Sequence, residues 1–97
     1  GKAMTIHPED VFVNADYLGG GYGVMGEAER EAITLFAQLE GVLLDPVYTG
    51  RAFGGLIELL RRPGAMARFG IPEPRTVIFW HTGGSPALFA YAPELLP

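Results

Sequence analysis

Apolar positions along the 97-residue chain follow a helical spacing in its middle third. In Glu27–Glu40 they recur on one face, acidic residues fill the first turn, and Gly41 follows as a typical C-terminal cap. A second stretch with this spacing, about Arg51–Arg62, ends at Pro63-Gly64. Ser85 and Pro86 favour the start of a third, shorter helix that reaches about Tyr91. The pattern therefore predicts three helices.

Short apolar runs precede each of these helices and predict strands. They cover Asp10–Tyr17, Val42–Asp45 and Thr76–His81, and the last two are almost wholly apolar, as in strands covered on both faces. The resulting order, β-α-β-α-β-α, is typical of parallel strands joined by helical crossovers. We therefore predict an α/β fold in which residues 1–97 form a single partial domain, a slice of a larger parallel sheet. The run Met66–Arg75 is predicted to be irregular.

Three glycine-containing loops follow the predicted strands: GGGYG, DPVYTG and HTGGS. In open α/β sheets, ligands bind beyond the carboxyl ends of the strands, where these loops would meet. Aromatic rings and hydroxyl groups in such loops can hold a flat ligand and orient it. The candidate ligand-binding residues are Tyr22, Tyr48, Thr49, Thr82 and Gly83.

Each candidate also has a structural interpretation. Thr49 can simply cap the following helix, Tyr22 can anchor its loop, and Gly83-Gly84 can serve only to turn the chain. Trp80 is expected to pack against a helix, and His81 to be hydrogen-bonded in the core. The charged residues expected on a solvated helix face are Glu27, Glu29, Arg30 and Glu31.

Composition narrows the functional classes. The net charge of −4 argues against a nucleic-acid or anionic-membrane surface, and no apolar run is long enough to span a bilayer. The chain has no cysteine, and His7 and His81 lie in unrelated contexts without metal-ligand spacing. No signal peptide is visible, so a cytoplasmic protein is expected. The hydrophobic fraction of 48% is high for a small domain and indicates that some apolar surface meets a partner.

Three motifs, GYGVMGEAEREAI, EGVLLDPVYTGRAFGGLIELL and VIFWHTGGSPALFAY, together resemble the C-terminal part of D-cysteine desulfhydrases and 1-aminocyclopropane-1-carboxylate (ACC) deaminases. These are pyridoxal-phosphate enzymes with the tryptophan synthase β-subunit fold (fold type II). The resemblance extends from about Val11 to Tyr91, with the motifs in the family's order. Met66–Arg75 is longer than the family usually has and is expected to be a surface insertion.

The resemblance implies roles for single residues. Tyr22 and Tyr48 match the two tyrosines that face the substrate beside the cofactor. Thr49 and Thr82 match positions where desulfhydrases have threonine, whereas deaminases tend to have glutamate and leucine, so both favour the D-cysteine side. Gly83 belongs to the same cofactor-side loop as Thr82. Arg51 stands where the family often has lysine, at an expected non-catalytic position.

The family's Schiff-base lysine, substrate-carboxylate loop and phosphate loop lie upstream of the matched motifs, and the only lysine in this chain is Lys2. The resemblance therefore implies a C-terminal segment that does not bind pyridoxal phosphate tightly or turn over alone. In the parent enzyme the substrate would be an amino acid, D-cysteine, undergoing α,β-elimination to pyruvate, ammonia and sulfide. The partner would be the missing N-terminal part. The alternatives are an ACC deaminase segment and a non-catalytic α/β module that self-associates as an oligomer.

Overall fold

The computed structural model describes residues 1–71 and 76–97. Within them, helix α1 spans Glu27–Glu40, helix α2 spans Thr49–Arg61 and helix α3 spans Ala92–Leu95. Three short 3-10 helices cover Pro8–Asp10, Ala65–Phe69 and Ser85–Tyr91. Of these described helices, α1 and α2 pack against each other most extensively, and the remaining segments lie around this pair.

Helix α1 has the bounds predicted from the sequence. Its first turn carries acidic residues, and the backbone N–H of Gly26 donates to the Glu29 carboxylate at 2.9 Å, which satisfies one free amide of the helix start. At the other end Gly41 adopts the left-handed conformation, with φ of 66°, and its N–H donates to the carbonyl of Ala37. Both ends are therefore determined by local residues.

Helix α2 begins two residues earlier than predicted and buries a different face. The predicted apolar stripe, Phe53, Leu56, Ile57 and Leu60, is only partly covered, whereas the buried positions are Thr49, Gly50, Gly54 and Gly55. A Cβ atom on Gly54 would lie 3.0 Å from the carbonyl oxygen of Ala28 in α1. Glycine thus allows the two helix backbones to approach closely.

The predicted parallel sheet is wrong, because residues 1–71 and 76–97 contain helices but no strand. The segments at Asp10–Tyr17, Val42–Asp45 and Thr76–His81 have no regular secondary structure. Apolar β-branched runs favour extended backbone, but a strand also needs a neighbouring backbone for its N–H and C=O groups. That pairing is not a local property, and these segments do not supply it to one another.

The core lies where the segment Thr76–His81 packs against the pair formed by α1 and α2. Ala32, Ile33 and Leu44 are buried, and apolar residues from both long helices pack around them. Phe79 contacts this core edge-to-face, with its ring centroid 5.0 Å from that of Phe53. The predicted short C-terminal helix is present as the 3-10 helix Ser85–Tyr91, with Pro86 in its first turn.

Side chains next to Phe79 are instead left in solvent. Ile78 is 85% exposed and Trp80 is 81% exposed, so the expected packing of Trp80 against a helix is wrong. Adjacent residues of an extended segment point to opposite sides, and only the Phe79 side meets the helices. The high hydrophobic fraction of the sequence therefore appears as exposed apolar surface.

The predicted insertion Met66–Arg75 is described only as far as residue 71, since residues 72–75 lie outside the described residues. Its described part contains the 3-10 helix Ala65–Phe69, and Arg68 forms an exposed ion pair with Asp16 at 2.8 Å. In residues 1–71 and 76–97, no helix combines the length and apolar character required to cross a bilayer.

Candidate functional site

Two of the candidate residues, Tyr22 and Tyr48, lie together. Their hydroxyl oxygens are 2.6 Å apart and share a hydrogen bond, and their rings meet edge-to-face with centroids 6.0 Å apart. Tyr22 is 78% exposed and Tyr48 is 59% exposed. Residues 26 positions apart in sequence thus present one pair of phenolic hydroxyls to solvent.

The hydrogen bond between the two tyrosines changes the pKa of Tyr48. The bond shared with Tyr22 holds the pKa of Tyr48 above the usual value, and charge repulsion from an ionised Tyr22 acts in the same direction. Tyr48 therefore remains a neutral phenol at neutral pH, able both to donate and to accept a hydrogen bond.

The backbone around Tyr48 is held by Asp45, which is only 1% exposed. Its carboxylate accepts hydrogen bonds from the backbone N–H groups of Val47, Tyr48 and Thr49 at 2.8, 2.7 and 2.8 Å. Burial alone would raise the pKa of Asp45, but the hydrogen bonds from Thr49 and these amides outweigh it and hold the pKa below the usual value. An ionised carboxylate thus fixes the turn that carries Tyr48.

Thr49 lies at this turn with its hydroxyl committed to the same aspartate. It donates to the Asp45 carboxylate at 2.7 Å and accepts from the Asp45 backbone N–H at 2.8 Å, and the residue is 3% exposed. This geometry is that of a residue stabilising the start of α2. The ligand-binding role of Thr49 stays a prediction from the resemblance.

The loop that carries Tyr22 is held by α2. Arg51 donates to the carbonyl oxygens of Gly21 and Val24 at 3.0 and 2.9 Å, and to the Glu29 carboxylate at 2.7 Å. Burial would raise the pKa of Glu29, but the hydrogen bonds from Arg51 and from backbone amides keep it below the usual value.

Glu29 corrects the expectation of a solvated acidic face on α1, because it is 3% exposed. The run of charges around it gave no sign that one member turns inward. The sequence signal that could have identified it is the spacing from Gly26, since a glutamate three residues into a helix can return to the backbone N–H that precedes the helix.

The loop HTGGS lies against the loop DPVYTG and against Leu43, which precedes it. His81 donates from Nε2 to the carbonyl of Leu43 at 2.8 Å and accepts at Nδ1 from the N–H of Gly83 at 2.9 Å, which requires the neutral Nε2–H tautomer. A Cβ atom on Gly84 would lie 2.8 Å from the Asp45 carboxyl carbon. The first predicted loop therefore contacts the second, and the second contacts the third, although the described residues contain no strand that could align them.

The predicted site residues divide between two places. Tyr22 and Tyr48 line a cleft of about 490 Å³ beside α2, together with Arg51 and mostly apolar side chains. Thr82 is exposed on the third loop and, like Gly83, does not line this cleft. Asn14, which the sequence reasoning did not select, also lines it, and its buried Nδ2 atom has no hydrogen-bond partner in the described part of the chain.

The pyridoxal phosphate that the resemblance implies is only partly matched by these residues. The tyrosine pair and Thr82 offer hydroxyls, but the Gly83 N–H is occupied by His81. The only lysine, Lys2, lies in the exposed N-terminal stretch before the first 3-10 helix. The residues of this chain therefore do not fit a covalently held pyridoxal phosphate, and no reaction step through that group is derived from them.

Comparison with known proteins gives one consistent result. No family model matches the chain. Proteins named D-cysteine desulfhydrase from Salmonella newport (strain SL254), Salmonella heidelberg (strain SL476) and Salmonella gallinarum (strain 287/91 / NCTC 13346) are each 50% identical to it over 95 residues. The match includes 98% of this chain but spans only 27% of each relative. Over nearly its whole length, the chain is thus homologous to a segment of the D-cysteine desulfhydrases, which confirms the resemblance carried by its three motifs.

Proposed function

We propose that this chain supplies one wall of the active site of a D-cysteine desulfhydrase-like lyase. The observation that carries the proposal is the exposed Tyr22–Tyr48 pair, with hydroxyls 2.6 Å apart, in a chain 50% identical to proteins of that name. The reaction converts D-cysteine and water to pyruvate, ammonia and hydrogen sulfide. Pyridoxal phosphate, which supplies electron withdrawal when bound, would be held mainly by residues outside this chain.

The tyrosine pair can act as the proton donor when sulfur leaves the substrate. When the bond between the substrate's β-carbon and its sulfur breaks, the electron pair leaves with the sulfur as hydrosulfide, and a neutral phenol at hydrogen-bond distance can donate a proton to it to give hydrogen sulfide. The raised pKa of Tyr48 keeps that proton in place at neutral pH, and Tyr22 can return a proton through the shared hydrogen bond. In this role Tyr48 and Tyr22 orient the substrate side chain and protonate its sulfur.

The proposal includes a second protein segment as an obligatory partner. The chain spans only 27% of its relatives, and its single lysine lies in an exposed terminal stretch. A pyridoxal enzyme needs an amine to hold the cofactor and to move protons at the substrate carbon. We therefore expect no turnover by this chain alone, and activity when a segment carrying that amine is present.

A complementation assay tests this. The Salmonella newport relative would be produced without the segment that matches this chain and mixed with the chain, with pyridoxal phosphate, and sulfide and pyruvate would be measured from D-cysteine. Activity that needs both pieces and is lost with a Tyr22→Phe/Tyr48→Phe double variant supports the proposal. A stable complex of the two pieces without activity contradicts it.

Two further outcomes of the same assay point elsewhere. Release of ammonia from 1-aminocyclopropane-1-carboxylate without sulfide from D-cysteine would favour the deaminase interpretation. A stable oligomer of the chain that does not bind the second piece would favour a self-associating module. The exposed Ile78 and Trp80 provide the apolar surface for such association.

Pyridoxal phosphate binding by the chain alone is a separate measurement. Visible absorption titration, followed by borohydride reduction and intact-mass analysis, would reveal a specific adduct. We expect none beyond weak labelling of Lys2 or the terminal amine. A saturable band with one adduct would contradict the proposed dependence on a partner segment.

A further inference from the structure

Arg51 makes three side-chain hydrogen bonds that reach two separate parts of the molecule. Its Nε donates to the Glu29 carboxylate of α1 at 2.7 Å, while its Nη2 donates to the carbonyls of Gly21 and Val24 at 3.0 and 2.9 Å. The Arg51 side chain is 16% exposed and that of Glu29 is 5% exposed. A largely buried guanidinium with several partners has one orientation, because leaving any of them would expose an uncompensated polar group.

These hydrogen bonds place Arg51 between the glycine loop that contains Tyr22 and the start of α2, which follows Tyr48. Gly21 and Val24 lie on either side of Tyr22, and Arg51 follows Tyr48 by three residues on the first turn of α2. We infer that Arg51 is the positioning residue that sets the Tyr22 hydroxyl against the Tyr48 hydroxyl. This inference rests on the proposed function for its significance, since it concerns the same pair, but the geometry stands without it.

Other contacts of the glycine loop cannot perform this task. Tyr91 donates its hydroxyl proton to the carbonyl of Gly23 at 2.5 Å, but it belongs to the C-terminal segment, and within the described residues its hydroxyl makes no hydrogen bond to the turn at Tyr48. Without the guanidinium, the loop retains weak turns such as the N–H of Gly21 to the carbonyl of Leu18 at 3.1 Å. Its positive-φ glycines add conformational freedom in this loop.

The chain contains a matched control in Arg61. It also links α2 to α1, through an ion pair with Glu31 at 2.6 Å, but its side chain is 59% exposed and, within the described residues, makes no hydrogen bond to the glycine loop. Replacing Arg61 thus removes one cation and one interhelical ion pair, as replacing Arg51 does, and leaves the two hydrogen bonds from Arg51 to the glycine loop intact.

The titration of Tyr48 reports directly on the tyrosine pair. The pKa of Tyr48 is raised mainly by the hydrogen bond with Tyr22, so the shift becomes smaller when the two hydroxyls separate. Loss of a nearby cation would by itself raise the pKa of a phenol, so a fall cannot come from the change of charge. The chain has four tyrosines, and 13C labelling at the ring carbon that bears the hydroxyl resolves each by NMR.

The experiment compares Arg51→Met, Arg61→Met and Tyr22→Phe in the full chain without cofactor or substrate. Tyr22→Phe removes the bond itself and should lower the Tyr48 pKa, leaving only the smaller raising effects of burial and of the Asp45 charge. We expect Arg51→Met to produce the same fall and Arg61→Met to leave Tyr48 as in the unsubstituted chain. A folded Arg51→Met variant in which Tyr48 keeps its raised pKa would overturn the inference.

Circular dichroism establishes folding at each pH. If Arg51→Met loses helical signal, Arg51→Lys decides the question, because lysine keeps the charge beside Glu29 but lacks the planar guanidinium that presents Nε to Glu29 and Nη2 to the loop carbonyls at the same time. An unchanged Tyr48 pKa in folded Arg51→Lys overturns the inference, and a fall supports it. No activity is measured, so this result is independent of the complementation assay that tests the proposed function.

Discussion

The helix pair and the segment that crosses it differ in how their polar and apolar groups are satisfied. In α1, α2 and the turn between them, buried charges have several partners each: Glu29 and Arg51 bind each other, and Asp45 accepts four hydrogen bonds. The crossing segment, residues 76–84, contributes Phe79 to the core but leaves Ile78 and Trp80 more than 80% exposed.

This difference separates a region whose buried charges are paired from one that leaves apolar surface exposed. In the helix pair Glu29 and Arg51 bind each other and Gly54 packs against the α1 backbone, so this region is held together by contacts between its two helices. The crossing segment is attached through the His81 bond to Leu43 and the Phe79 contacts, and it turns the rest of its apolar surface outward. We expect substitutions in the first region, and at the residues that attach the second region to it, to change stability, and substitutions at the exposed Ile78 and Trp80 to change association.

The largest expected effect is at Arg51. Arg51→Met should lower the free energy of unfolding by about 3 kcal/mol, because it leaves the buried Glu29 carboxylate without its cation. Arg61→Met, which breaks an exposed pair between the same helices, should cost no more than about 1 kcal/mol. Urea unfolding followed by circular dichroism measures both, and equal losses would contradict the buried role of Arg51.

Asp45→Asn should be next, at about 2 kcal/mol at neutral pH. The amide keeps the shape but loses charge-assisted hydrogen bonds to three backbone amides and the Thr49 hydroxyl. The same urea experiment measures the loss. A variant as stable as the unsubstituted chain would show that the turn is held by other contacts.

The dependence of stability on pH provides a second test of the hydrogen bonds that the Asp45 carboxylate accepts. The folded pKa of Asp45 lies below its ordinary 3.8, so its contribution is present above that pH and is lost as pH falls through the folded pKa. The difference in stability between the unsubstituted chain and Asp45→Asn should therefore shrink below about pH 4. A difference that stays constant down to pH 2 would contradict a lowered pKa.

The contact between the two regions can be tested with adjacent glycines. Gly83 and Gly84 share a φ of 98°, but a Cβ on Gly84 would lie 2.8 Å from the Asp45 carboxyl carbon, whereas none of the described atoms lies within 4 Å of one on Gly83. Both alanine substitutions should cost about 1 kcal/mol for the backbone. Gly84→Ala should cost about 1–2 kcal/mol more for the collision, measured as the difference in urea midpoint.

The smallest effect on stability is expected at Trp80. Trp80→Gln should change the free energy of unfolding by less than about 0.5 kcal/mol, because the side chain is 81% exposed. It should reduce any concentration-dependent association in sedimentation velocity. The neighbouring Phe79→Ala should instead destabilise by about 2 kcal/mol, since Phe79 packs on the helices. A stability loss at Trp80 equal to that at Phe79 would remove the distinction between the packed side and the exposed side of this segment.

The sequence identified the helices and the tyrosines for local reasons. Helix α1 has its predicted bounds because its apolar spacing, its acidic first turn and Gly41 act within one or two turns. Tyr22 and Tyr48 were selected from glycine loops and from a family resemblance, and the structure places them together. Their ligand-binding role remains a prediction.

What only the tertiary structure decided depends on contacts between distant residues. Pairing of extended segments requires a partner backbone, so apolar runs did not determine a sheet. The inward turn of Glu29 required Arg51 to lie opposite it, 22 positions away in sequence, and the burial of Gly54 required the backbone of α1. By itself the sequence determined the bounds of α1, the approximate position of α2 and the family segment to which this chain is similar. Tertiary contacts decided which charges are buried, because a charge enters the interior only where a partner meets it.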